Sequence, residues 1–132
     1  PIDLVGTLDR PKHLECLEAL MADDNIDAAL VLGVVGGATL LTAHMEILEG
    51  APAAAKAYVE AYEKMDRKIE EMILELIEKY QKPVIGVAVY ESYRPYFTEK
   101  GRMVVMPEPH KAVDIIEKMV QYRKYLDSIG EG

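Results

Sequence analysis

Apolar residues along this chain fall into two kinds of pattern, short uncharged runs and longer stripes at helical spacing. The run from Ala28 to Val35 consists of small and β-branched residues and predicts a strand buried on both faces. Val84 to Val89, introduced by Lys82-Pro83, predicts a second such strand, and Met103 to Met106 another. Ile2 to Val5 predicts a short opening strand that stops at Gly6-Thr7. Leu14, Leu17, Leu20 and Met21 share one face of a helix that Asp9 can cap, with Pro11 in its first turn. Leu40, Leu41, His44, Ile47 and Leu48 mark the next helix, which opens after Gly36-Gly37 and closes near Gly50 with Pro52 just beyond.

From Ala53 to about Tyr80 one long helix is predicted, because Tyr58, Tyr62, Met65, Ile69, Met72 and Leu76 recur at alternating spacings of four and three. Glu60 with Lys64, Glu63 with Arg67 and Glu75 with Lys79 form pairs four apart on its wet side. At a rise of about 1.5 Å per residue this helix spans about 42 Å, more than a small domain needs to cross its sheet. It therefore requires cover from the preceding helix, another subunit or a further domain. Tyr93, Tyr96 and Phe97 predict a short helix closed by Gly101, and Ala112, Val113, Ile116, Met119, Val120 and Leu126 predict the last one.

Alternation of strands and helices in this order demands right-handed crossovers and a parallel sheet covered on both faces. The expected fold is a small doubly wound, flavodoxin-like α/β domain with about four strands in the order 2-1-3-4 and one long extra helix. Residues 1–132 make a single domain by length. The chain opens on Pro1 rather than methionine, as a processed chain or a fragment of a larger protein would.

Composition narrows the function classes. A formal net charge of −8 argues against nonspecific binding to nucleic acid or to an anionic membrane. One cysteine excludes an internal disulfide, and Cys16, beside Leu17 and Leu20, is read as a buried thiol rather than a nucleophile. With no signal peptide and no long apolar run, a soluble cytoplasmic protein is expected.

The candidate chemistry lies where the first long run ends. Gly36-Gly37 lets the backbone turn tightly, and a helix starting at Ala38-Thr39 leaves several N–H groups unpaired. The helix dipole and these amides favour a phosphate or carboxylate at Gly36, Gly37, Ala38 and Thr39 without any charged side chain. The same sequence pattern also serves where a connection is merely tight. Gly6, Thr7, Glu91 and Ser92 are expected at the same carboxyl edge of the sheet, with Met106-Pro107-Glu108. Asp23-Asp24 falls at the opposite edge and is not read as a metal site. His44 shares an apolar stripe and is read as a packing or interface residue, while His13 and His110 are read as solvated or capping.

Several segments together resemble a known family. Pro1-Ile-Asp-Leu-Val-Gly6, Ala22-Asp-Asp-Asn-Ile-Asp-Ala28, the strand into Gly36-Gly37, Lys82-Pro83-Val-Ile85, Gly101 through Pro107-Glu108, Ala112-Val113 and Tyr122-Arg-Lys-Tyr125-Leu126 are similar to the second ligase-type flavodoxin-like domain of NDP-forming acyl-CoA synthetases, the superfamily of succinyl-CoA ligase. The likeness runs in the same order over nearly the whole chain, except about 40 residues between Thr42 and Gln81. It implies an acid–thiol ligase reaction, acyl-CoA, phosphate and nucleoside diphosphate against acid, CoA and nucleoside triphosphate, by way of a phosphohistidine. That group is held between the N-termini of two helices from two ligase-type domains, and Gly36-Gly37-Ala38-Thr39 matches one of them. CoA, the nucleotide and Mg are then expected in the full enzyme and none is bound by this domain alone. The partners implied are the CoA-binding, phosphohistidine-bearing and ATP-grasp domains, with a homo-oligomer also expected. His13, His44 and His110 lack the Gly-His-x-Gly context of the phosphoryl carrier, so no residue here is assigned as catalytic and the isolated chain is expected to be inactive. The alternative is a non-catalytic flavodoxin-like module that oligomerises through its long helix.

Overall fold

A computed structural model describes residues 2–4, 9–47, 53–88 and 90–130. Three strands, β1 (Ala29–Leu32), β2 (Val84–Val87) and β3 (Val104–Met106), form an open parallel sheet in the order β1-β2-β3. The register places Ala29 beside Val84 and Ile85 beside Val104. Four helices surround the sheet among the described residues: α1 (Arg10–Ala22), α2 (Gly37–Ile47), α3 (Ala53–Tyr80) and α4 (Pro109–Ile129).

Side-chain alternation along the strands separates two cores. Ala29, Val31 and Val84 point to one face, where Leu14, Leu17 and Met21 of α1 and Ile69 and Ile73 of α3 meet them. Ile85 and Val87 point to the other face and pack on Ala112 of α4, with Leu30, Met106, Ile115 and Ile116 around them. This layering of helices on both faces of a parallel sheet is consistent with a flavodoxin-like fold. Burial on both faces holds for β2, the central strand. It fails for β1, whose Leu32 is 60 % exposed.

The expectation of four strands in the order 2-1-3-4 is corrected to three among the described residues, in the order β1-β2-β3. β1 and β2 are hydrogen-bonded neighbours throughout, so no room exists between them for an opening strand. Ile2 to Leu4 form none, and Val5 lies outside the described residues. β1 is also shorter than its apolar run, because Gly33 turns at φ 68 and gives its amide to the Val87 carbonyl at 3.0 Å. The short helix expected at Tyr93 to Phe97 is absent too. Pro95 disfavours helical geometry at Arg94, and the Tyr96 amide is spent on the Glu70 carboxylate at 2.9 Å.

The helix from Ala53 to Tyr80 forms over the expected span, and one face of it packs against α1 and α2. Its packed face is rotated from the expected stripe, however. Asp66, Ile69, Glu70 and Ile73 are buried, whereas Met65 and Met72 stay 38 % and 37 % exposed. Nor does Lys79 pair with Glu75; it reaches Glu18 of α1 at 2.7 Å. Arg67 lies over the Tyr96 ring at 4.7 Å. Asp9 caps α1 by accepting from the Lys12 amide, with Pro11 in the first turn. Leu48 to Pro52 and Val89, named in the sequence reading, lie outside the described residues.

Candidate functional site

The N-terminus of α2 stands at the carboxyl end of β1, two glycine turns beyond the strand. Gly36 adopts φ 92, a region L side chains avoid, and its carbonyl accepts the Leu40 amide at 3.1 Å as the first helical hydrogen bond. A Cβ at Gly36 would lie in ordinary contact with the Tyr93 ring and Ala88, so the segment after β2 borders one side of the turn. At Gly37 a Cβ would collide with the Arg10 guanidinium and crowd Tyr62. Both glycines are therefore demanded, the first by its backbone angle and the second by close approach.

The amides of α2 are divided between uses. The Ala38 N–H donates to Asp66 Oδ2 at 3.0 Å. Asp66 comes from α3, is 0 % exposed, and through Oδ1 accepts from Arg10 Nη1 at 2.7 Å. The same Arg10 nitrogen donates to the Val34 carbonyl at 2.8 Å, and its side chain is 14 % exposed. A carboxylate at a helix N-terminus is where dipole and amides favour one, and the guanidinium balances its charge. Among the described residues, none accepts from the amides of Gly37 or Thr39. The Thr42 hydroxyl turns back to the Ala38 carbonyl at 3.0 Å, inside the helix.

One turn along α3, Glu70 anchors the neighbouring segment in the same manner. Its carboxylate accepts from the Tyr93 hydroxyl and from the Tyr96 amide at 2.9 Å. Burial pushes the Glu70 carboxyl above the usual carboxylate range, against the opposing effect of the two hydrogen bonds. Burial and the Glu70 carboxylate likewise push the Tyr93 phenol up. Asp66 and Glu70, four apart on one face, thus fix the two backbone segments that leave β1 and β2.

Of the residues expected here, Gly36, Gly37, Ala38 and Thr39 do form the turn and the start of the helix. Glu91 and Ser92 are exposed in the turn after β2, and Glu91 lines a cleft of about 520 Å³ with Arg94, Arg102 and β3. The residue this segment brings to Gly36 is Tyr93. Gly6 and Thr7 lie outside the described residues. The three histidines are occupied elsewhere: the ring of His13 with the Asp9 carbonyl, His44 with the Leu40 carbonyl and His110 with Glu108. Cys16 is half-buried.

Sequence reasoning missed Arg10, Asp66, Glu70 and Tyr93. The available signal was the helical geometry itself, since Asp66 and Glu70 lie in line with Ile69 and Ile73 and two acids there require buried partners. No group of three or more metal-ligating side chains comes together among the described residues. No described helix is long and apolar enough to cross a membrane. Compared with protein-family models, curated proteins and solved structures, the chain matches none.

Proposed function

We propose that this chain is the second ligase-type, flavodoxin-like domain of an NDP-forming acyl-CoA synthetase, and that α2 presents its N-terminus to a phosphohistidine carried by another domain. The observation that carries this reading is the state of the α2 amides. Gly37 and Thr39 are left without acceptors among the described residues, on a helix start held in place by Gly36, Asp66 and Arg10. Amides fixed in advance stabilise a phosphoryl group without reorganising when it arrives. Asp66 does not abolish that field, because Arg10 balances its charge. The domain supplies no phosphoryl carrier; CoA, nucleotide and Mg belong to the rest of the enzyme.

Phosphorylation of the partner histidine in the reconstituted enzyme tests the reading. Gly37→Pro deletes one open donor and should greatly reduce labelling, while Thr39→Ala should cost at most a hydroxyl contact of about 1 kcal/mol. Since any side chain at 37 meets Arg10 and Tyr62, the proline variant is first checked for native unfolding behaviour. Normal labelling of folded Gly37→Pro would remove α2 from the mechanism.

A second reading, a non-catalytic assembly module, is favoured by one observation. Asp66 already places a carboxylate at the Ala38 amide, so the helix N-terminus has an anion of its own.

A further inference from the structure

Two surfaces of this chain complement each other yet face apart. The first is the outer half of α4. Its 21 residues at about 1.5 Å each run about 31 Å, whereas the four residues of β2 cover only about 13 Å, so the sheet supports little of the helix beyond Ile116. The apolar stripe nevertheless continues through Met119, Tyr122, Leu126 and Ile129 at alternating spacings of three and four. Met119, Tyr122 and Ile129 are exposed, Tyr122 by 63 %. Lys118 and Arg123 flank this stripe; Arg123 also reaches Asp127 of its own helix at 3.1 Å in an exposed pair, and residues 117–129 keep a net charge of +1 in a chain of net charge −8.

The second surface is a groove of about 400 Å³ between α1 and α3, where Leu14, Met72 and Leu76 supply the apolar lining and Glu15, Glu18 and Glu75 the acidic one. Lys79 takes up Glu18, and Glu75 reaches Lys100 only at 3.9 Å, so the border of the groove stays acidic. Because α4 packs on the opposite face of the sheet from α1 and α3, its outer half cannot enter the groove of its own chain.

We propose that the outer half of α4 docks in the α1/α3 groove of a second copy of this chain, its apolar stripe meeting Met72 and Leu76 and its basic border meeting Glu15 and Glu75. The contact joins two different surfaces, so it is heterologous and builds rings or open chains rather than an isologous dimer. It is separate from the α2 site and stands or falls without it.

Sedimentation of the whole chain across concentration tests this. Glu15→Lys with Glu75→Lys, and separately Lys118→Glu with Arg123→Glu, should each weaken self-association by about tenfold or more, because like charges then oppose across the contact. All four residues are exposed, and circular dichroism checks that each variant is folded. Mixed one to one, the two variants should associate with each other as the unaltered chain does with itself, since every contact between unlike variants again pairs opposite signs. An unaltered chain that stays monomeric, association indifferent to either reversal, or a mixture that stays dissociated would each overturn the proposal.

Discussion

The two faces of the sheet are assembled on different principles. On the α3 face two buried carboxylates, Asp66 and Glu70, reach out of the helix to Arg10, to the Ala38 and Tyr96 amides and to the Tyr93 hydroxyl. On the α4 face the buried residues Ile85, Val87 and Ala112 are all apolar. Apolar contact is non-directional and sets how closely a helix lies, but hydrogen bonds to fixed donors also set its rotation and the course of the backbone it touches. The face that fixes the segments after β1 and β2 is the one with polar anchors. The difference teaches that positional precision here was obtained at the cost of burying charge.

Removing an anchor should cut deepest. Asp66→Ala leaves the mostly buried Arg10 and the Ala38 amide without their partner, and should lower unfolding free energy by about 3–5 kcal/mol in urea titration. A loss no larger than that of an exposed α4 substitution would erase the distinction between the faces. Tyr93→Phe removes one donor from a buried carboxylate and should cost about 1–3 kcal/mol by the same measurement.

Glu70 sharpens the comparison through pH. Burial raises its pKa, so the folded chain holds this proton more tightly than the unfolded chain does. The resulting stabilisation is complete below the ordinary glutamate range and is lost as pH rises through the raised value. Stability should therefore decline across that window, and Glu70→Gln should flatten the decline. An unchanged pH profile in the variant would assign the slope to another group. The smallest effect belongs to the other face: Val113→Ser, on the exposed side of α4, should alter stability by no more than about 0.5 kcal/mol.

What the sequence disclosed and what it concealed follow the same division. The Asp9 cap, the Gly36 turn and the full extent of α3 were legible because each rests on local chemistry: an acceptor before a helix, a residue free to adopt positive φ, and a sustained helical period. Apolar periodicity could not identify the packed face of α3, since two of its buried positions are acids. The opening strand failed for a different reason. A run such as Ile2 to Val5 announces extended backbone, but strand pairing is a tertiary choice, and β1 chose β2. At the candidate site, the turn was legible and the occupant of the Ala38 amide was not, because Asp66 arrives from 28 residues away.

β3 carries a consequence of another kind. It is a three-residue strand at the margin of the sheet, with Val104 exposed and, among the described residues, no further strand paired to its outer row of backbone groups. Such margins are templates for aggregation, and short length, charge and proline are the means by which proteins blunt them. Arg102 stands just before β3 and Pro107 just after it, so an incoming strand meets a cation at one end and a residue without an amide at the other. The brevity of the third strand, which leaves the sheet small, is in this light a safeguard that keeps one chain's sheet from growing into the next.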